Sequence, residues 1–397
     1  MLHQNNESYV EKSQSIKVVI IGGVHHNTLG VVRSIGDSPI KKQNIILILV
    51  GSNAKNDDFV SKSKYVDKRN VFYLNDDTDI VPFLLNHDKS EKKVIICCSD
   101  GAAEQIIKNK HILLNYHCPS TIVDIDMIMD KQEQSTFVRS RGMLIPESTI
   151  IEKNNCISLD WDEYPCIMKP IKSICGGGKD DIKIAQSRGD LVDKMNNSLS
   201  EIFQVQKYID KKMEYQLIGC SLNDGEDVII PGYTRILRQQ RNTNTGYLEY
   251  APLSNIQIDM DKVKSTLKGF GYNGLFSMEF IRDKNDNDYY LETNFRNDGN
   301  GYCVKTAGVN LPFIWCYYSF FGELPSEIKK NVERTIRFIP DLEDVKLGCN
   351  SVGVFRWIKE FFKAESHAVY SLSDIRPFVS QLNKRVHKFV KSKFRHN

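Results

Sequence analysis

The 397-residue sequence has few of the features that mark membrane-spanning or secreted chains. No uncharged apolar run approaches the ~18 residues of a membrane-spanning helix, and the best candidate, LPFIWCYYSFFGELP, is short and rich in tyrosine. The polar opening, residues 1–15, has no apolar centre, so we expect no signal peptide. With 41% hydrophobic residues and a net charge of only +3, the chain is expected to form two or three packed domains.

Paired cysteine motifs are also missing. The ten cysteines include no CxxC pair of the zinc-binding kind, and only Cys97 and Cys98 are neighbours. This pattern predicts reduced thiols and a cytoplasmic protein. We expect no nucleic-acid partner, no membrane span and no nucleophilic cysteine.

The last residues of the chain have basic charge without acidic charge. Residues 376–397 contain seven lysines and arginines and no acid, and their apolar residues recur at helical spacing. This pattern predicts a basic amphipathic helix. We favour a helix docked on the protein with its lysines in water; the alternative is contact with an anionic membrane surface or an anionic substrate carrier.

Apolar strand patterns alternate with helical or loop sequence in the first third of the chain. They are IKVVIIGG (16–23), NIILILV (44–50) and KVIICCSD (93–100). This alternation predicts a Rossmann-like parallel sheet, whose ligands gather beyond the carboxyl ends of the strands, where Asp100 is a candidate participant.

The loop after the first strand, GGVHHNTLG, lacks the spacing of a dinucleotide-binding motif. It has no GxGxxG, and no acid closes the second strand. An NAD-linked oxidoreductase is therefore rejected, and His25 and His26 are interpreted as loop residues.

Two runs further along the chain, in which apolar and polar residues alternate, predict a β-hairpin. One face of this hairpin is apolar, and the other carries charged and polar side chains. The two runs are GLFSMEFIRD (274–283) and YYLETNFR (289–296), joined by a polar turn. A turn centred on Asn285 and Asp286 would place Glu279 directly opposite Glu292. Like charges in that position destabilise a sheet, whereas two carboxylates with the amide oxygen of Asn294 suit Mg2+.

A glycine-rich segment lies between two predicted strands in residues 164–187. The first strand reaches Lys169, and GGG at 176–178 precedes the second strand. This is no Walker-type P-loop, which needs GK[ST] and a following helix. Glycines still let backbone N–H groups approach phosphates closely; the alternative is an ordinary mobile hairpin.

The order of these parts resembles the ATP-grasp superfamily over residues 16–325. The parts are the α/β start, DK (130–131), the strand with Lys-Pro (169–170), the glycine loop, QKYI (206–209), MEF (278–280) and LETNFR (291–296). Four stretches are similar to the branch containing D-aspartate ligase and related carboxylate–amine ligases of cell-surface polymer synthesis. They are LGVVRSIG (29–36), CSD (98–100), DKQEQSTFVRSRGMLIPES (130–148) and NFRNDGNGYCVKTAGVNLPFIW (294–315).

The resemblance implies a role for each matching residue. Nucleotide contacts are implied for Lys131 and Lys169 (phosphates), Gly176, Gly177 and Gly178 (the covering loop), Gln206, Lys207, Tyr208 and Ile209 (adenine), and Glu214 (ribose). Arg235 is implied at the phosphates, with Arg238 as a second candidate, and Arg296 at the carboxylate or its phosphate. Lys169, Arg235 and Arg296 form the implied catalytic group, and Glu279, Glu292 and Asn294 are the implied metal ligands. The implied cofactors are ATP and two Mg2+ ions, with Mn2+ able to substitute.

The function implied is a Mg-ATP-dependent carboxylate–amine ligase that works through an acyl phosphate. Its substrates would be a small acid such as D-aspartate and an amine acceptor. Specificity is expected in the first-domain loops, in NTGYLEY (244–250), which opens the predicted loop NTGYLEYAPL (244–253), and in NDGNGY (297–302). The alternatives are a carbamoyl-phosphate-synthase-like enzyme that phosphorylates a small carboxylate, and a nucleotide-binding regulatory protein without catalysis.

The expected fold class is α/β, with α+β architecture in the ATP-grasp part, and five segments are expected. They are a polar tail (1–15), the Rossmann-like domain (16–125), the small lobe with the glycine loop (126–205), the large lobe with the metal site (206–325), and a C-terminal extension (326–397). A homodimer would follow the habit of the superfamily.

Overall fold

The computed structural model describes residues 9–87, 90–158, 160–170, 182–239 and 246–394. The strands are β1 Val18–Gly22, β2 Ile45–Val50, β3 Val71–Leu74, β4 Lys93–Cys97, β5 Tyr116–His117, β6 Ser148–Glu152, β7 Cys166–Pro170, β8 Lys183–Ala185, β9 Ile202–Lys207, β10 Lys211–Leu222, β11 Asp227–Ile229, β12 Gly232–Gln239, β13 Gly246–Pro252, β14 Gly274–Asp283, β15 Asp288–Asn294, β16 Ile336–Ile339 and β17 Ser366–His367. The α-helices are α1 His26–Gly36, α2 Ala54–Asp57, α3 Ile80–Asn86, α4 Asp100–Lys108, α5 Ile125–Met129, α6 Lys131–Ser140, α7 Arg188–Asn196, α8 Met260–Phe270, α9 Gly301–Ala307, α10 Leu311–Phe321, α11 Val345–Val352, α12 Val354–Lys363 and α13 Arg376–Phe394.

The first sheet is parallel, in the order β3-β2-β1-β4-β5. This confirms the predicted Rossmann-like arrangement, whose order reverses between β1 and β4. The ends of these two strands approach closely, since a Cβ added at Gly22 would lie 2.6 Å from Cβ of Cys98. The loops that follow β1 and β4 are thereby brought side by side at the carboxyl edge of the sheet.

A second, antiparallel sheet has the order β6-β9-β7-β8. Its strands β7 and β8 are the two strands predicted around the glycine-rich segment, and Lys169 lies near the end of β7. The predicted phosphate-covering residues 176–178 lie outside the described residues.

The third sheet has the order β15-β14-β10-β12-β13-β16-β17, with β11 paired to β10. Residues 246–252, predicted as part of a loop, instead form β13, which lies between β12 and β16. The loop prediction was wrong because this strand is buried at nearly every position. Such a strand has no solvent face and therefore lacks a regular alternation of polar and apolar residues.

The packing of three segments differs from the predicted division of the chain. Helices α5 and α6 contribute Ile125, Ile128 and Val138 to the core of the third sheet, so residues 126–147 pack with the large lobe. Strands β16 and β17 extend the same sheet, so residues 326–397 are integrated with it. Residues 9–14, predicted as tail, are helical, and Tyr9 packs against aromatic rings of α10.

Helix α13 forms in the basic C-terminal segment and docks on the first domain. Lys384 Nζ donates a hydrogen bond to the carbonyl of Asn56, and Arg385 Nη1 donates one to the carbonyl of Leu342 at 3.1 Å. This agrees with the favoured interpretation of the basic end. Among the described residues, no helix is both long and apolar enough to cross a membrane.

Candidate active site

The predicted pairing of two glutamates is present in the β14–β15 hairpin. Glu279 lies directly opposite Glu292, and Ser277 opposite Asn294. Nearer the turn the register changes, so that Phe280 pairs with Tyr290. The turn is therefore centred on one residue, Asn285, rather than on two as predicted.

A β-bulge at Leu291 compensates for this shorter turn. The bulge adds one residue to β15 between the two registers, and such an insertion re-aims the side chains around it. Leu291 was predicted on the apolar face but lines a cavity on the same side of the sheet as Ile281 and Glu214. The bulge thus keeps Glu292 opposite Glu279.

Glu279 is a buried carboxylate held by two amides. Its side chain accepts hydrogen bonds from Gln216 Nε2 at 3.1 Å and from Asn294 Nδ2 at 3.2 Å, and the residue is 5% exposed. Burial, followed by the charges of Glu292 and Asp298, raises the pKa of Glu279 to about 8. A cation at this position would relieve the repulsion between the carboxylates.

Two lysines from different elements lie near this carboxylate pair. Lys131, at the start of α6, forms an ion pair with Glu292. Lys169, on β7, donates to Gln206 Oε1 at 2.8 Å. Burial and then the charge of Lys131 lower the pKa of Lys169. Both cations therefore face the region where anionic groups are expected.

A cavity of about 670 Å3 lies between the second and third sheets. Among its lining residues are six of those assigned to nucleotide binding by resemblance: Lys169, Gln206, Lys207, Tyr208, Ile209 and Glu214. Glu214 accepts from Lys211 at 2.8 Å and from Gln239 at 3.2 Å. The Lys207 ammonium forms an ion pair with Glu163 at 2.8 Å. Glu163 does not line the cavity, so the charge of Lys207 is neutralised from outside it.

A smaller cavity of about 350 Å3 adjoins the carboxylate pair. The first domain contributes Gly23, His25, Asn27, Cys98, Ser99 and Asp100, and the large lobe contributes Gln216, Glu279, Glu292, Asn294, Arg296, Asp298, Gly299 and Asn300. Arg296 joins the two sides, because its Nε donates to Asp100 at 2.8 Å and its Nη2 to Asn294 Oδ1 at 3.1 Å. The cavity lies at the strand ends, as expected for a parallel sheet.

Several residues of the smaller cavity had no role in the sequence analysis. Asp298 is buried and accepts from Ser277 Oγ at 2.8 Å and from the Asn300 backbone N–H at 2.7 Å. Gln216 both donates to Glu279 and accepts from Asn300 Nδ2 at 2.8 Å. The NDGNGY segment was predicted to affect specificity and does supply this wall, whereas none of residues 246–250, the described part of the NTGYLEY segment, lines it.

His25 and His26 lie at the start of α1, where His25 caps the helix. His25 lines the smaller cavity, and its Nδ1 accepts from the Asn27 backbone N–H at the start of α1. Burial lowers the pKa of His25, and it lowers that of the buried His26 well below its usual value. Neutral imidazoles are therefore expected at this helix start.

Neither arginine of β12 lines the two cavities. Arg235 pairs with Tyr215, whose ring belongs to the core on the opposite face of the sheet from Gln216. Arg238 is bound to Asp344 at 2.5 Å and to Glu360 at 2.9 Å. This register places Arg235 on the face opposite Gln216, the phosphate role of Arg235 stays a prediction, and Arg238 is held in an ion-pair network.

The donor set fits Mg2+ bound together with substrate oxygens. Within the described parts of the chain, no three His, Cys, Asp or Glu side chains converge as an all-protein metal cage. Mg2+ usually keeps several waters and binds through one or two carboxylates plus substrate phosphates. Glu279, Glu292 and Asn294 meet that requirement.

Cavity size alone does not locate the site. A cavity of about 890 Å3 lies between residues 61–68 and α13, and none of the predicted site residues lines it. The 670 and 350 Å3 cavities are smaller but are lined by the described residues for which a role was predicted, except Lys131, Arg235 and Arg238.

Comparison with solved structures identifies the fold. The biotin carboxylase of Campylobacter jejuni, in complex with ATP, matches with a TM-score of 0.60 and 17% identity over 82% of this chain and 76% of that chain. The L-amino acid ligase of Bacillus licheniformis matches at 0.56 and 14%, over 81% and 79%. The biotin carboxylase domain of the Hydrogenobacter thermophilus 2-oxoglutarate carboxylase, a dimer with MgADP and bicarbonate, matches at 0.60 and 18%, over 81% and 73%.

These neighbours are ATP-grasp enzymes, and the chain has the ATP-grasp fold. No protein-family model matches the sequence, and no curated protein matches it.

Proposed function

We propose that this protein is a Mg-ATP-dependent carboxylate–amine ligase that works through an acyl phosphate. The observation that carries the proposal is the position of the Glu279–Glu292 pair between a nucleotide-sized cavity and a small polar cavity. On β10, Glu214 lines the first cavity and Gln216 the second. Residues two apart on a strand are separated by about 7 Å, so the two cavities lie next to each other along β10.

This arrangement orients a nucleotide along the third sheet. With the base at the Gln206–Ile209 connector and the ribose at Glu214, the terminal phosphate would lie near Lys131, Lys169 and the carboxylate pair. Bound Mg2+ would neutralise charge on the phosphate oxygens. Lys131 and Lys169 would add positive charge from the other side, because phosphoryl transfer depends mainly on positioning and electrostatic stabilisation.

The reaction then has two steps. An oxygen of the substrate carboxylate attacks the γ-phosphorus, the bond from that phosphorus to the bridging oxygen breaks, and ADP leaves. The amine nitrogen then attacks the acyl carbon, an amide bond forms, and phosphate leaves with the electrons of the carbon–oxygen bond and takes up the proton that the nitrogen loses. Arg296, at the wall of the small cavity, would hold the substrate carboxylate or its phosphate.

The smaller cavity supports a small amino acid as the carboxylate substrate. Its volume is about 350 Å3, and its walls carry both a cation, Arg296, and the buried carboxylate of Asp298. A substrate with both charges, such as D-aspartate, would complement them. The similarity of the motifs to D-aspartate ligase supports the same acid and a role in cell-surface polymer synthesis.

The proposal is tested by ADP release with hydroxylamine as a substitute amine. Pure protein with Mg-ATP, hydroxylamine and a panel of small carboxylates is expected to form ADP and a hydroxamate with one acid. Glu292→Gln should lose both products. D-aspartate, L-aspartate, other amino acids and bicarbonate belong in the panel, since bicarbonate alone would indicate carbamoyl-phosphate-synthase-like chemistry.

If no ADP is released, a measurement of ATP binding on the same samples distinguishes the remaining explanations. ATP binding without ADP release, with every acid and with candidate amines present, would favour a regulatory protein and contradict a ligase. Absence of ATP binding would contradict both.

Two lysines of the small lobe, Lys169 on β7 and Lys194 on α7, give a matched pair for ATP binding. Lys169→Gln is expected to lower kcat/KM for ATP by about ten- to a hundredfold, the usual loss of a hydrogen bond to a charged group. Lys194→Gln removes the same charge from an ammonium that is paired with Asp190 on α7 and lines neither cavity, and little change is expected. Steady-state kinetics with varied ATP measures both; equal effects would contradict the assignment of Lys169 to the phosphates.

A further inference from the structure

Helix α12 has an apolar stripe that no other part of the described chain covers. The stripe consists of Val354, Phe355, Ile358 and Phe362, whose exposed fractions are 55, 90, 40 and 73%. At 100° per residue these four positions fall within one face of the helix. Single exposed apolar residues are ordinary, whereas a contiguous set with two phenylalanines marks an interaction surface.

The side of the helix next to Val354, which carries Trp357 and Phe361, already anchors the helix to the protein. Trp357 Nε1 donates to Asp344 Oδ2 at 2.9 Å, and Phe361 is buried against the Trp357 and His367 rings. Gly348 allows this contact, because a Cβ there would lie 2.1 Å from the Trp357 ring. The α12 stripe is therefore presented on a fixed helix whose packing is complete without it.

Positive charge borders the α12 stripe. Lys359 is the next position around the helix after Phe355, Lys363 and Arg356 follow further round on the same side, and all three are exposed. The acid of this helix, Glu360, is engaged by Arg238 at 2.9 Å and by Arg356 at 3.5 Å. The rim of the stripe is therefore cationic.

We propose that the α12 stripe docks the protein on an anionic membrane surface, with Phe355 and Phe362 inserted at the boundary between head groups and acyl chains. Aromatic residues on one face and lysine or arginine beside them are the composition of helices that lie in a membrane interface. An anionic leaflet attracts such cations electrostatically. The inference goes beyond the proposed ligase activity and does not depend on it.

The positive charges beside the α12 stripe also argue against a second copy of this chain as the partner that covers the stripe. An interface around a two-fold axis uses the same surface patch on both copies. It would bring the Lys359 and Lys363 side chains of both copies to one rim, where the acid of α12 is already paired. Anionic lipid satisfies these cations, whereas a symmetric contact would place like charges together.

This surface differs from the one that the sequence suggested. A membrane contact was considered for residues 376–397, but α13 there is docked through Lys384 and Arg385. The exposed phenylalanines are on α12 instead.

Vesicle co-flotation of the full-length protein tests the proposal. Binding to vesicles of equal parts phosphatidylcholine and phosphatidylglycerol is expected, and it should weaken with salt and with pure phosphatidylcholine. The double variant Phe355→Ser, Phe362→Ser should bind at least about a hundredfold more weakly. Lys359→Gln with Lys363→Gln should bind about twentyfold more weakly.

Leu114→Ser is the matched control, since Leu114 is 76% exposed elsewhere on the molecule, and its binding should equal that of the parent. The melting temperature of each variant confirms that it is folded. Failure of the parent to bind the anionic vesicles, or equal binding by the phenylalanine variant, would overturn the proposal. So would a dimer in analytical ultracentrifugation that the phenylalanine variant dissociates, because the stripe would then belong to a second copy.

Discussion

Replacing Glu279 with glutamine is expected to abolish most activity and to stabilise the metal-free protein. The activity should fall by about 10²- to 10³-fold, the usual cost of removing one preorganised electrostatic group. Glutamine keeps the size of the side chain and can still accept from Gln216 and Asn294. Its amide N–H can also donate toward Glu292, where the native carboxylate meets repulsion.

The expected gain in stability follows from the pKa of Glu279. Folding raises this pKa from 4.5 to about 8, so the folded protein holds the proton more tightly than the unfolded chain. That contribution is present below about pH 4.5 and is lost as the pH rises through about 8. At pH 9, without Mg2+, Glu279→Gln should therefore raise the melting temperature, by at least about 1 °C.

Thermal unfolding at pH 5 and pH 9, with and without Mg2+, measures this effect. The difference between Glu279→Gln and the parent should be larger at pH 9, and Mg2+ should stabilise only the parent. A variant that is less stable than the parent at pH 9 without Mg2+ would show that the carboxylates do not repel each other in the folded protein.

Replacing Asp374 with alanine is expected to destabilise the protein by about 3–5 kcal/mol, the usual cost of breaking a buried ion pair. Asp374 accepts from Arg33 Nε at 3.0 Å, from Ser63 Oγ at 2.8 Å and from the Lys64 backbone N–H at 2.8 Å. The side chains of the pair are 1 and 2% exposed, so alanine would leave the guanidinium buried without its counter-charge.

Denaturant unfolding midpoints measure this effect, and Asp67→Ala is the matched control. Asp67 pairs with the exposed Arg69 at 2.7 Å, and exposed pairs contribute little. Adding Arg33→Met to Asp374→Ala should restore part of the lost stability, because it removes the unpaired charge. Equal midpoints for Asp374→Ala and Asp67→Ala would contradict a role for the buried pair in holding α1 to the chain before α13.

The parts of the site that sequence reasoning found are those that depend on local periodicity. Glu279, Glu292 and Asn294 were identified because side chains alternate along a strand. The connector of Gln206 to Ile209 was recognised from the order of motifs. Neither inference needed the arrangement of the sheets.

The parts that it missed depend on partners far away in the chain. Asp298 faces a wall supplied by Asn27 and Ser99 of the first domain, and Arg33 meets Asp374 across 341 positions. No local pattern encodes such contacts. The face of the sheet that Arg235 occupies was not predictable from its own strand, because it depends on the register with neighbouring strands.

The bulge at Leu291 divides the hairpin into two parts with different strand registers. One extra residue on β15 absorbs the change of register between the turn and the carboxylate pair. The part near the turn sets the geometry of the turn. The other part sets the spacing of Glu279 and Glu292. Sequence change at the tip, from Asp283 to Asn287, can therefore be tolerated in evolution while the reactive end stays fixed.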